Sequence, residues 1–127
     1  MTNAKPKILL IDDTSAFLLI LNSILKENYE TYIATSGTSG LDIAGKVLPD
    51  LVILDVMMPG LSGYDVLQAM KGDAALKNTP VILITGKTSP ENEAKGYALG
   101  AAGYIKKPFE ALQILSGVEA VLEGTRA

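Results

Sequence analysis

LVILDVMMPG, residues 51–60, decides the reading of the whole chain. Four apolar residues run without interruption up to Asp55, and Pro59-Gly60 then breaks the segment. Consecutive apolar positions over so short a run describe a strand buried on both faces, the pattern of a parallel sheet. Such a strand delivers its last residue to the carboxyl edge of the sheet, where open α/β folds place their ligands and chemistry. Asp55 is therefore expected at a functional edge.

Working outward, other runs end in the same manner. KILLI ends on Asp12 and Asp13, VILIT ends on Thr85, and GYI leads into Lys106-Lys107-Pro108. Strands are predicted at 7–11, 31–35, 51–55, 80–85 and 103–106, each short and strongly apolar. Helical segments separate them. Residues 14–27 follow the acid pair, with Thr14 and Ser15 available to cap, and residues 38–47 stop before Pro49. Ser62 with Asp65 three positions on reads as a capping box opening a helix through about residue 71. Ser89-Pro90-Glu91 combines a cap, a proline at the first helical position and an acid favoured by the macrodipole, and this helix ends at Gly100. A last helix over about 109–123 repeats Leu112, Leu115, Val118 and Leu122 at helical spacing. Strand and helix alternating five times make an α/β chain with its parallel sheet covered on both faces.

Composition narrows the function. The 127 residues suffice for one domain, expected to span 1–127 with its core at about 7–123 and no output domain attached. Hydrophobic content of 48% and charged content of 20% belong to a soluble globular protein. A net charge of −3 leaves no basic surface for direct nucleic-acid binding. The absence of cysteine removes disulfides and thiolate metal sites. The absence of histidine removes imidazole as base, ligand or phosphoryl carrier, so acid–base work falls to carboxylates and lysine. MTNAKPK has no apolar run that would make a signal peptide, and the longest apolar stretch, Ala16 to Leu21, falls far short of the roughly 20 residues of a membrane span. A cytoplasmic location is expected.

Three carboxylates, a hydroxyl and a lysine at one edge suit metal and phosphoryl chemistry. Adjacent acids such as Asp12 and Asp13 are costly to hold together without a cation, and Mg²⁺ favours one or two carboxylates with water and phosphate oxygens. Asp55 would act as nucleophile, since a carboxylate can form an acyl phosphate. Thr85 and Lys107 would serve the oxygens of the transferring group, whose charge is met by positioned donors and cations. Each residue also has a plainer explanation. Asp12 and Asp13 can cap a helix, Asp55 can end a strand at a turn, Thr85-Gly86 can be a loop entry, and Lys107 can be a solvated surface lysine. All of them falling at successive strand ends favours the site.

These residues carry a resemblance. Asp12-Asp13, LDVMMPGLSGYDVL at 54–67, ITG at 84–86, Tyr104 and Lys107-Pro108-Phe109 together resemble the receiver domains of two-component response regulators, over residues 7 to 123. The resemblance implies a flavodoxin-like doubly wound (βα)5 sheet of order 2-1-3-4-5. It implies that Asp55 takes a phosphoryl group from the phosphohistidine of a sensor kinase or a histidine phosphotransfer protein. It implies Mg²⁺ held by Asp12, Asp13, Asp55 and the backbone carbonyl of Met57, with Asp12 acting through water. It further implies phosphoryl contacts from Thr85 and Lys107, a cis Lys107–Pro108 bond, and Tyr104 as a rotameric switch for the surface of the fourth helix, fifth strand and fifth helix. A downstream protein or an output domain would read that surface. Enzymatic activity is expected only on the chain itself, as phosphotransfer and autodephosphorylation.

Other readings compete. A flavodoxin-like small-molecule module would want a Ser-, Thr- and Gly-rich phosphate loop rather than two acids. A haloacid-dehalogenase-type phosphohydrolase commonly calls for an acid at the position of Met57. A degenerate receiver acting only as an interaction scaffold would not need the full set of acids, hydroxyl and lysine. Met57 and Lys87 are expected to border the phosphoryl site and to tune the lifetime of the acyl phosphate. Finally, Ala16, Phe17, Leu18, Leu19, Ile20 and Leu21 circle the first helix, and one sheet face cannot bury them all. Either flanking loops or the fifth helix cover the extra side chains, or one or two of Phe17, Leu18 and Leu19 (the latter two at positions where relatives often carry polar or basic residues) stay exposed as a docking face for an apolar helical partner.

Overall fold

A computed structural model describes residues 4–86 and 89–126, with side-chain surroundings given to residue 124. Five strands alternate with five helices: β1 (Lys7–Ile11), α1 (Ser15–Leu25), β2 (Glu30–Ala34), α2 (Gly37–Val47), β3 (Leu51–Asp55), α3 (Gly63–Lys71), β4 (Val81–Thr85), α4 (Pro90–Ala98), β5 (Gly103–Lys106) and α5 (Ala111–Arg126). The strands form one parallel sheet of order β2-β1-β3-β4-β5, as expected. β3 and β4 are buried at every position, and β1 at all but the first, because helices cover both of their faces.

Alternation along those strands divides the core in two. Leu9, Ile11, Val52, Leu54, Val81 and Leu83 face one side and pack with Ala44, Val66, Leu67 and Met70 from α2 and α3. Ile8, Leu10, Leu51, Ile53, Ile82 and Ile84 face the other and meet Leu18, Leu21 and Leu25 of α1 and Ile114, Val118 and Leu122 of α5. A one-residue slip of any central strand would exchange these two sets, so each helix layer reinforces the register.

The helix starts follow local chemistry. Ser62 and Asp65 form the reciprocal capping box, and Ser89 accepts from the Asn92 N–H ahead of Pro90. Thr14 occupies the cap position of α1 without a side-chain cap bond; its own N–H donates instead to Asp12 Oδ1 at 2.8 Å. α2 begins at Gly37, one residue earlier than predicted, because Ser36 caps it through the Ser39 N–H. α5 begins at Ala111 rather than 109, so Pro108, Phe109 and Glu110 remain a connector from the sheet edge.

Gly63 shows how tightly the edge is built. A Cβ there would collide with the Asp55 carbonyl oxygen and lie 2.7 Å from Val56 Cα, while the Gly63 N–H donates to the Val56 carbonyl at 2.9 Å. The obstacles are backbone atoms and cannot rotate away. Gly63→Ala should therefore cost about 3 kcal/mol of stability, at the upper end for one added methyl group. A urea-unfolding midpoint equal to that of the parent would contradict this contact.

Candidate functional site

Four adjacent strands bring the predicted residues to one edge. β1 leads into Asp12, whose N–H donates to the Ala34 carbonyl at 3.2 Å; β3 ends on Asp55, β4 on Thr85, and Lys107 follows β5. The register pairs Asp55 with Ile84 and Thr85 with Lys106, so these ends are level. The Lys107 N–H donates to the Thr85 carbonyl at 2.8 Å, tying the two sides of the edge together. The Lys107–Pro108 peptide is cis.

Burial distinguishes the three acids. Asp12 is completely buried, Asp55 is 4% exposed, and Asp13 faces solvent. One carboxylate oxygen from each lies within 4.8 Å of the others. Lys107 Nζ sits among them, 3.0 Å from Asp12 Oδ2 and 3.8 Å from Asp55 Oδ2. Among the described residues, the Lys107 ammonium thus pairs with two of the three carboxylates. Burial, and after it the negative charge of Asp12, pushes Asp55 from the ordinary 3.8 up to about 6, against the opposing pull of Lys107 and of the Met57 N–H. The Met57 N–H points back to Asp55 Oδ1 at a long 3.4 Å.

This donor set fits a hard divalent cation. It offers only oxygen ligands, it holds an excess of negative charge, and Asp13 leaves one side open to water, as Mg²⁺ requires. Thr85 is fully buried at the same edge. Met57 projects outward, 53% exposed, while Lys87 lies outside the described residues.

Tyr104 lies earlier on β5, paired with Leu83 of β4. Its ring packs over Gly96 of α4 and near Tyr97, with centroids 6.4 Å apart. Its hydroxyl is buried against Tyr64, and among the described residues it has no partner in good hydrogen-bond geometry. The Tyr64 hydroxyl donates to the Asn92 carbonyl at 3.0 Å, linking α3 to α4 beside this ring.

The expected docking face needs a correction. Leu18 is only 3% exposed and packs in the core with Leu21 and Leu25, one helical turn apart, so it cannot meet a partner. Leu19 is 68% and Ile20 48% exposed. Phe17 is half-buried for a reason the sequence hid: its ring stands 3.7 Å from Lys107 Nζ and 6.0 Å from the Phe109 ring. Sequence reasoning missed Ile20 as an exposed residue and Phe17 as a neighbour of the site. The run of six apolar residues was the available signal, but it did not specify which face turned inward.

Comparison with known proteins agrees with this architecture. The family model for the response regulator receiver domain matches residues 8–119. The DNA-binding response regulator MtrA of Mycobacterium tuberculosis is 32% identical over 123 residues, covering 96% of this chain and 53% of that protein. A Vibrio cholerae protein named "Probable cyclic di-GMP phosphodiesterase" is 36% identical over 120 residues, which cover 94% of this chain but 27% of that protein. The chain thus spans between about a quarter and about half of these curated relatives. The chemotaxis protein CheY4 of Vibrio cholerae superposes with a TM-score of 0.89 at 33% identity, covering 93% of this chain and 99% of that one.

Proposed function

The chain belongs to the response regulator receiver domain family, and from that premise we propose that Asp55 accepts a phosphoryl group from the phosphohistidine of a sensor kinase or histidine phosphotransfer protein. The supporting observation is the buried Asp55 carboxylate held within reach of two further acids and one lysine at a strand end. A scaffold without chemistry would gain nothing from concentrating three acids within 4.8 Å of one another at one edge.

The residues divide the work. An Asp55 carboxylate oxygen attacks phosphorus as the bond to the donor imidazole nitrogen breaks, leaving an acyl phosphate on the side chain. Lys107 meets the charge on one phosphoryl oxygen, and Thr85 donates its hydroxyl to another. Asp12, Asp13, Asp55 and the Met57 carbonyl would hold Mg²⁺, with Asp12 acting through water; the bound cation supplies charge neutralisation. Protonated Asp55 neither attacks nor binds a cation well, so before a cation is bound Asp55 ionises, and becomes able to take one, as pH rises through about 6. The reading is tested with acetyl phosphate: a phosphoryl adduct should form with Mg²⁺ and be lost with chelator. Equal labelling in both, or none in either, would contradict it.

The phosphoryl group would draw Thr85 toward Asp55, move Tyr104, and alter the surface of α4, β5 and α5 for a downstream protein or output domain. Such a response is a two-state equilibrium biased by one new anion. The phosphodiesterase relative is covered over only 27% of its length, so its name does not bring that activity to this chain. Among the described residues no helix is long and apolar enough to cross a membrane, which agrees with a cytoplasmic setting.

Leu19 and Ile20 supply the docking face for the histidine donor. They lie on α1, which starts three residues after Asp12, so a helical partner there approaches Asp55. Leu19→Arg should slow transfer from the cognate phosphohistidine roughly tenfold or more, as expected of a centrally placed apolar contact. Labelling by acetyl phosphate should be unchanged, because a small donor needs no docking. Loss with both donors would indicate damage to the fold, and loss with neither would exclude this face.

A further inference from the structure

We infer that Phe17 is a positioning residue for Lys107, holding the ammonium in the site through the face of its ring. The inference rests on the phosphoacceptor reading above and adds a part to its machinery. Lys107 Nζ lies 3.0 Å from Asp12 Oδ2, 3.8 Å from Asp55 Oδ2 and 3.7 Å from the centroid of the Phe17 ring. The side chain is only 11% exposed, so the ring occupies space that water would otherwise take. An ammonium within about 6 Å of a ring face is drawn to its negative quadrupole, more strongly where water is excluded.

The ring is itself fixed. Phe17 lies on α1 directly before the buried Leu18, and Phe109 tilts against it at 6.0 Å and 48°. Phe109 follows Lys107 by two residues on the connector to α5, so the chain that carries the lysine also braces its aromatic neighbour. Two elements far apart in sequence therefore clamp one cation.

The consequence concerns what happens when the acids are engaged elsewhere. The carboxylates of Asp12 and Asp55 that hold Lys107 are those proposed to serve a cation and the phosphoryl group. As their charge is shared, their hold on Lys107 weakens. The quadrupole of Phe17 carries no net charge and is not consumed in this exchange. It keeps the ammonium beside Asp55, where a phosphoryl oxygen would take the place of the carboxylate, rather than releasing a flexible lysine to solvent.

Replacing Phe17 in the full chain by phenylalanines with one, two and three ring fluorines weakens the ring quadrupole stepwise while nearly preserving shape. The labelling rate by acetyl phosphate in Mg²⁺ should fall stepwise, reaching a roughly tenfold loss in Phe17→Leu. Mg²⁺ affinity should stay within about twofold across the series, since the ring touches no carboxylate in the proposed role. Phe17→Trp should retain near-parental rates. In NMR spectra the Lys107 ε-methylene should be shifted upfield by the ring in the parent and not in Phe17→Leu. Labelling rates unchanged across the fluorinated series, or a Lys107 methylene at its ordinary position in the parent, would overturn the inference while leaving Asp55 as acceptor. A parent chain that takes no label would overturn the phosphoacceptor reading and this inference with it.

Discussion

Asp55→Asn should take no phosphoryl group from acetyl phosphate and should also be more stable than the parent in metal-free buffer at neutral pH. The first effect follows from removing the nucleophilic oxygen anion, and residual labelling should be below about one part in a thousand, since no neighbouring acid lies on the same strand end. The second follows from the electrostatics of the folded site. Burial and the charge of Asp12 raise Asp55 to about 6 in the folded chain, from an ordinary 3.8. Folding therefore favours the protonated form, and the ionised form costs stability. That cost is fully present above about pH 6, shrinks as pH falls through 6, and is gone below about 4, where folded and unfolded chains are both protonated. The difference corresponds to at most roughly 3 kcal/mol. The open side at Asp13 and the loss of a partner for Lys107 reduce the expected gain to about 1–2 kcal/mol. Denaturant melts at pH 4 and pH 7.5 would check it: the gain should appear at the higher pH only. A gain of equal size at both would show that charge is not its source.

The second large effect concerns the cation. Asp13→Asn should weaken Mg²⁺ binding on the order of tenfold or more, because a site of few ligands loses one of its three anions. Asp13 is the exposed acid, so the substitution removes charge without leaving a buried group unpaired, and the fold should be retained. Lys107→Ala should act differently. Removing the ammonium at 3.0 Å from Asp12 leaves more negative charge for a cation, so Mg²⁺ binding should be maintained or tightened while labelling is impaired. Isothermal titration of both variants separates the roles. Equal weakening of Mg²⁺ in both would assign them wrongly.

The sheet was legible in the sequence because its central strands are apolar at consecutive positions and stop on polar residues. Leu51–Asp55 and Val81–Thr85 carry both signals, and their ends mark the site as well as the fold. The edge strand β2 was legible to within one residue; its mixture of exposed and half-buried positions blurs where pairing begins. The placement of Asp12, Asp13, Asp55, Thr85 and Lys107 at one edge followed from chain order and parallel pairing, without side-chain detail. The α1 surface did not follow, because Ala16 to Leu21 offers the same hydropathy all around the helix. Its rotation is set by Leu18, Leu21 and Leu25 packing in the core with β1 and α5, which is tertiary information. The contact of Phe17 with Lys107 joins residues ninety positions apart and depends on where the connector after β5 brings Phe109. No local pattern could announce it.

The central claim, that Asp55 is the phosphoryl acceptor, is met most directly by locating the group within the chain. The parent protein is incubated with acetyl phosphate and Mg²⁺, trapped by borohydride reduction of the acyl phosphate, and fragmented for residue-level mass spectrometry. The account predicts a single modified residue, Asp55, reduced at its side-chain carbonyl, with Asp12 and Asp13 untouched. Modification at another residue, or an unmodified Asp55 in protein that has demonstrably taken up one phosphoryl group, would contradict it.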